Sequence, residues 1–318
     1  MKKILVTGGC GFIGSELVKR LVHNGNNVVV LDNCSRGSAH RLKEIIKDID
    51  FIEGDIRDYD VVSNACNGVT SIHHLAYING TENFYNKPEL VLDVATSGII
   101  NLYNYCKKNQ IEDFYLASTS EVYQTPEKFP ANEEERLIIP NVMNPRFSYG
   151  GGKILCELIA IHCIQKIVKK LIIYRPHNVY GPDMGNEHVI PQFFLRMKAL
   201  NLQCNKNDDL ISFSIQGTGE ETRSFIHISD FVDSLELLMK YGTSGNIYHL
   251  GNSDEICIRD LALLVAEELK LKIRVKPGPL QIGSTLRRCP DIRKILEIGY
   301  KQKISIKKGI SSLKEWYS

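Results

Sequence analysis

No apolar run in this 318-residue chain reaches the ~18 residues that a membrane-spanning helix needs. The opening MKKILVTGG is too short an apolar run for a signal peptide and leads straight into a turn. A cytoplasmic protein with no membrane partner is therefore expected. No CxxC pair occurs among Cys10, Cys34, Cys66, Cys106, Cys156, Cys163, Cys204, Cys257 and Cys289, which removes zinc-ribbon and dithiol redox readings. Their number is odd and several sit in apolar runs, so reduced, packed thiols and no metal site are expected. Neither charge sign dominates: 39 Lys and Arg face 37 Asp and Glu, for a net charge of +2. Basic runs stop at pairs such as Lys107-Lys108, which read as solvated helix faces, so no nucleic-acid partner is expected. There is no internal repeat and no low-complexity linker.

The first half alternates strands with helices. KILVT (3–7), VVVLD (28–32), FIEGD (51–55), SIHHLA (71–76) and DFYLAS (113–118) are short apolar runs. Amphipathic patterns separate them, the clearest over 89–108, and Leu17, Val18, Leu21 and Val22 share one helical face. This alternation predicts a Rossmann-type α/β fold, a doubly wound parallel sheet covered on both faces. After about residue 176 prolines and glycines become frequent, and helices are predicted over 188–200, 229–241, 258–270 and 305–317. The division expected is a dinucleotide-binding domain over 1–176 and a smaller α/β substrate-binding lobe over 177–318, with a soft boundary because such lobes often return strands to the main sheet.

The turn after the first strand, Thr7-Gly8-Gly9-Cys10-Gly11-Phe12-Ile13-Gly14-Ser15, lies between a strand and an amphipathic helix. Glycines there let a backbone approach a pyrophosphate, whose charge then sits at a helix N-terminus. Asp32 closes the second strand about 20 residues on, where a carboxylate accepts both ribose hydroxyls of NAD and repels a 2′-phosphate. Arg36 reads as a solvated loop arginine. Asp55 is either an acceptor for the adenine amino group or a helix N-cap. His73 and His74 are adjacent on a strand, face opposite sides, and read as structural.

The fifth strand ends in Thr119-Ser120-Glu121-Val122-Tyr123, at the sheet end where ligands bind in doubly wound folds. Tyr149 and Lys153 lie four apart in a predicted helix and share its face. An ammonium beside a phenol favours the phenolate and makes a usable base from a group that ordinarily titrates at about 10. Gly150-Gly151-Gly152, between them, is no P-loop: residue 147 is Phe, residue 154 is Ile, and no strand precedes. Glycine in a helix costs about 1 kcal/mol relative to alanine, so the run raises the question of what must come close to it.

Together the TGGCGFIG turn, Asp32, STSEVY and Tyr149-x-x-x-Lys153 resemble the extended short-chain dehydrogenases/reductases, the NAD-dependent nucleotide-sugar epimerases, dehydratases and decarboxylases. Arg175-Pro176-His177-Asn178-Val179-Tyr180-Gly181-Pro182, Gln216-Gly217 through Phe225, and Arg287-Arg288-x-Pro290-Asp291-Ile292 continue the resemblance along the whole chain. It implies that NAD is held by Gly8, Gly11, Phe12, Ile13, Gly14, Asp32, Asp55, Ile56, Leu75, Ala76, Tyr149 and Lys153. It implies that Tyr149 takes the proton of a sugar 4-hydroxyl, Lys153 holds the nicotinamide ribose, and Thr119 bonds the 4-oxygen. Asn178, Arg223 and Arg288 would hold the nucleotide-sugar substrate.

Glu121, with Ser120, separates the reactions within this group. A 4-epimerase needs no carboxylate there, whereas a 4,6-dehydratase needs a base near C5. The resemblance puts 4,6-dehydration first, with a UDP-glucuronate-type decarboxylase next and a 4- or 5-epimerase third. An inactive NAD-binding scaffold is remote, because Tyr149 and Lys153 are both present. The resemblance also implies a homodimer formed through helices 87–108 and 148–168. Three features depart from the pattern: Gln124 replaces a usual glycine, Ala95 a common asparagine, and the Gly150–Gly152 run is unusual.

Overall fold

The computed structural model describes residues 2–203, 210–279 and 285–317. In chain order these form β1 (Lys3–Thr7), α1 (Phe12–His23), β2 (Asn27–Asp32), β3 (Ile49–Glu53), α2 (Tyr59–Ala65), β4 (Ser71–His74), α3 (Thr81–Asn86), α4 (Pro88–Lys108), β5 (Asp113–Ala117), α5 (Ser148–His162) and β6 (Lys170–Pro176). Then follow β7 (Val179–Tyr180), α6 (Val189–Gln203), β8 (Ile211–Ser214), β9 (Thr222–Ser224), β10 (Ile226–His227), α7 (Ile228–Tyr241), β11 (Asn246–Leu250), β12 (Glu255–Cys257), α8 (Ile258–Glu268), β13 (Ile273–Lys276), β14 (Arg287–Arg288), α9 (Arg293–Glu297) and α10 (Ile306–Tyr317).

Seven strands make one sheet in the order β11-β6-β5-β4-β1-β2-β3, and every pairing in it is parallel. Side chains alternate between its faces. Leu5, Leu31, Ile72, Phe114 and Leu116 pack with α2, α4 and α5 on one side. Ile4, Val6, Val30, Tyr115 and Tyr174 pack with α1 and α7 on the other. With both faces covered, the strands read as continuous apolar runs. The order reverses between β1 and β4, which opens a crevice at their C-terminal ends.

Local chemistry sets the helix ends. α1 stops at Asn24-Gly25, where Gly25 has φ +77° and its N–H bonds the Val22 carbonyl at 2.8 Å. Pro88 opens α4 at a position where its missing N–H costs nothing. α5 ends at His162, short of the expected 168, because the chain turns through 164–166 into the β-branched run that becomes β6.

The C-terminal segments build a separate core from Phe193, Phe194, Met197, Phe213, Leu261, Val265, Ile310 and Leu313. Three small sheets accompany it: β7 with β10, β8 with β13, and β12-β9-β14. β11, well beyond residue 176, returns to the main sheet beside β6. Every cysteine among the described residues is a free thiol, and Cys204 lies outside them. No helix among the described residues is long and apolar enough to cross a membrane.

Candidate active site

The crevice begins at the β1–α1 turn. Gly8 has φ +73°, and a Cβ there would lie 2.7 Å from the Ala76 backbone nitrogen. At Gly14 a Cβ would run into the Gly8 carbonyl and lie 2.8 Å from the Gly9 Cα. These glycines therefore let α1 and the segment after β4 close on the turn. Gly11 caps α1 with no side-chain bond, and the first turn holds no acid. The N–H groups at this helix start have no side-chain cap and suit an anion. Phe12 and Ile13 follow on that turn and pack toward the core.

A groove runs from here, lined among others by Gly8, Gly11, Asp32, Asp55, Ile56, Leu75, Ala76 and Tyr77. The Asp32 carboxylate accepts the N–H of Cys10 and of Cys34, each at 2.8 Å. Each oxygen keeps a lone pair free for a ribose hydroxyl. Asp55 is not the cap of α2; Asp58 is, accepting the N–H of Asp60 at 2.9 Å. The Asp55 carboxylate instead meets Arg57 at 2.8 Å and Asn33 at 3.2 Å, and the Arg57 contact holds its pKa down to about 2. Arg36 is not simply solvated: it pairs with Glu187 at 3.3 Å, and Arg41 pairs with Asp183 at 2.5 Å. His73 stacks on Tyr115 at 4.3 Å, while His74 bonds the Thr7 hydroxyl at 2.8 Å on the opposite face of the strand.

Beyond the groove lie the residues of the β5 end and of α5. Tyr149 and Lys153 are both buried on α5, together with Thr119 and Ser120. Thr119 Oγ1 accepts the Glu121 N–H at 3.2 Å and starts a tight helical turn over 120–122. Its hydroxyl also faces the Tyr149 phenol. The phenol is buried among these groups, and its pKa is shifted upward. Burial pushes it well above its ordinary value, and Thr119, Arg288 and Arg36 only partly offset this. The Lys153 ammonium donates to the Ala117 carbonyl at 2.6 Å and lies 4.0 Å from the centre of the Tyr77 ring. Burial lowers its pKa to about 8.

Glu121 and Arg288 face each other at 3.5 Å, 24% and 19% exposed, and both act electrostatically on Tyr149. Arg288 reaches this position from β14, some way along the chain from β5. Arg223 donates to the carbonyls of Thr222 at 2.7 Å and Thr285 at 2.6 Å, and burial, with Arg288 nearby, lowers its pKa to about 10. The Asn178 side chain donates to the Ser224 carbonyl at 2.8 Å, from a backbone with φ +40°. In this structure Asn178 and Arg223 thus hold the loop, and Arg288 meets Glu121 just beyond β5.

Sequence patterns gave no signal for several residues around Tyr149. Phe84 stacks on its ring with centroids 4.8 Å apart, and Tyr77 meets it edge-on at 5.3 Å. Ser118 bonds Glu157, which in turn holds Arg175, so the β5 end is tied to α5 and β6. An apolar residue three positions after a helix start, and a serine beside the threonine that ends β5, carry no distinctive spacing.

Residues 4–251 match the model of the NAD dependent epimerase/dehydratase family. The chain is 30% identical over 320 residues to UDP-glucuronic acid decarboxylase 1 of Danio rerio, covering 100% of this chain and 73% of that protein. It superposes on UDP-glucose 4-epimerase of Thermotoga maritima with a TM-score of 0.87 and 25% identity, covering 99% and 98% of the two chains. For DesIV, the dTDP-glucose 4,6-dehydratase of Streptomyces venezuelae solved with NAD bound, the TM-score is 0.84, the identity 26% and the coverage 99% and 96%. The protein belongs to the NAD-dependent epimerase/dehydratase family, the nucleotide-sugar branch of the extended short-chain dehydrogenases/reductases. Its cofactor is NAD. The uncapped helix start at Gly11 and the free lone pairs of Asp32 fit that cofactor.

Proposed function

We propose that the protein converts a nucleotide sugar through a 4-keto intermediate and then removes the C6 carboxylate of a uronic acid. The glycine turn Gly8, Gly11 and Gly14 would take the pyrophosphate of NAD, with Asp32 on the ribose and Asp55, Ile56, Leu75 and Ala76 along the groove. NAD, when bound, supplies the hydride acceptor and a positive ring beside the phenol. Tyr149 takes the 4-hydroxyl proton, Thr119 donates to the 4-oxygen, and Lys153 supplies the charge that the buried phenol needs to ionise. With C4 a ketone, the C5–C6 bond breaks, its electron pair moves toward the 4-oxygen as an enolate, and carbon dioxide leaves. A proton then enters at C5, and Tyr149 would return its proton to the 4-oxygen as C4 is reduced again.

The contact between Glu121 and Arg288 carries this choice. A guanidinium at the sugar end matches a carboxylate in a two-pronged geometry. Dehydration, which the sequence reading put first, needs an acid at C6 as well as a base at C5, and Ser120 stands where some dehydratases place an aspartate. Glu121 would then serve both steps, and this keeps dehydration as the second reading. Similarity to a UDP-glucuronic acid decarboxylase supports the first.

The test is incubation with UDP-, GDP-, dTDP- and CDP-sugars, uronic acids included, with product masses read out. A loss equal to carbon dioxide is expected. A loss equal to water would establish dehydration, and an unchanged mass with altered NMR couplings would establish epimerisation. We infer in addition a homodimer through α4 and α5, whose outer faces expose Leu92, Ile100, Leu155 and Leu158.

A further inference from the structure

Two departures from the family pattern, Ala95 and Gly152, meet at one place. A Cβ on Gly152 would lie 3.0 Å from the Ala95 Cβ and would overlap the Tyr77 hydroxyl. Two small residues thus open a slot between α4 and α5, and the Tyr77 side chain fills it. Its hydroxyl donates to the Tyr149 carbonyl at 3.3 Å, and its ring is the face above which the Lys153 ammonium sits. Gly150 serves a different neighbour: a Cβ there would be 3.2 Å from both the Glu121 carbonyl and the Gln124 side-chain nitrogen. Gln124 has φ +53° and donates to that same Glu121 carbonyl at 2.6 Å. The glycine run is thus an opening for side chains and backbone of this chain.

We propose that Tyr77 is a positioning residue for the Lys153–Tyr149 pair, its ring holding the ammonium and its hydroxyl tying the first turn of α5, with Gly152 as the gap that admits it. This rests on the catalytic reading of Tyr149 and Lys153. The Lys153 ammonium is buried, and its only hydrogen-bond acceptor among the described residues is the Ala117 carbonyl. The other titratable groups coupled to it are His74 from β4, whose protonation the ammonium disfavours, and Cys156 and Glu157 from its own helix. A desolvated cation gains most from an aromatic face. Tyr77 also lines the NAD groove, so it touches both the cofactor side and the helix that carries the base.

The test is an NMR titration of the Lys153 ε-methylene in NAD-saturated protein, assigned with Lys153→Met. Tyr77→Leu is expected to lower the Lys153 midpoint by about half to one pH unit, because the lost ring favoured the charged form. Tyr77→Phe keeps the ring and is expected to restore the native midpoint. A native midpoint in Tyr77→Leu, or an equal drop in Tyr77→Phe, would overturn the proposal.

Should Tyr77→Leu fail to fold, a double-mutant cycle in urea decides the matter. Gly152→Ala is expected to lower the denaturation midpoint in the native background and less so beside Tyr77→Phe, where the overlapping hydroxyl is gone. Equal losses in both backgrounds would refute the slot. Normal turnover by Tyr149→Phe would sink the catalytic reading alone, since the titration does not depend on turnover.

Discussion

Arg175 grips Glu157 through two N–H···O contacts of 2.9 and 2.6 Å, with both side chains 2% exposed. The pair joins β6 to α5 one turn beyond Lys153, and Ser118 and Tyr123 close the network around it. Glu157→Gln keeps the shape but strands a buried guanidinium. A loss of about 3–5 kcal/mol is expected from urea denaturation. Replacing both residues with methionine is expected to recover much of it, since an apolar pair of similar volume avoids the desolvation cost.

Four buried histidines make the fold acid-sensitive. Burial holds His73, His74 and His249 down to about 3, and His177 is lowered in the same way. Unfolded, each titrates near its ordinary value of about 6.5. Between these values the unfolded chain binds protons that the native protein does not, so stability falls as pH drops below about 6.5. Each histidine contributes a slope of about 1.4 kcal/mol per pH unit once well inside the window. Urea midpoints at pH 7.5 and 5.5 should differ clearly, and His177→Phe should reduce the difference. Identical midpoints would contradict this account.

Tyr149→Phe removes the proposed proton acceptor and leaves the groove residues in place. Turnover is expected to fall by about 10²- to 10⁴-fold, while NAD titration by fluorescence stays close to native. Substantial retained turnover would mean that another group takes the 4-hydroxyl proton.

Arg288→Met and Glu121→Gln separate the sugar chemistries. Under decarboxylation, Arg288→Met is expected to raise KM for a nucleotide-uronic acid more than for its neutral hexose counterpart. Under dehydration, Glu121→Gln would instead accumulate oxidised intermediate with bound NADH absorbance. Equal effects of Arg288→Met on acidic and neutral sugars would remove the carboxylate-holding role.

The inferred dimer is tested by light scattering at micromolar concentration. Twice the monomer mass is expected, and Leu158→Glu should return it to monomer by placing a charge on the apolar face of α5. A native protein of monomer mass would exclude the interface.

The parallel sheet was legible because strands buried on both faces leave unbroken apolar runs, as in VVVLD and DFYLA. Family resemblance carried Tyr149, Lys153 and Glu121 to one end of the sheet. The partners that adjust them were not legible. Arg288 meets Glu121 only because β14 pairs with β9, a tertiary event with no local signature. Asp55 was ambiguous because an acid after a strand serves equally as cap or ligand, and the cap of α2 is Asp58, three residues later. The spacing of the tyrosine to the lysine carried no sign of the burial that raises the pKa of the phenol.

The pairs Arg36–Glu187 and Arg41–Asp183 tie the loop after β2 to the segment after β7. Arg36 also lines the groove, so these two ion pairs brace one wall of the cofactor site against the C-terminal lobe. Under the proposed reaction, parting of these ties is expected to speed exchange of the bound dinucleotide, and their hold would favour a cofactor that stays through many turnovers.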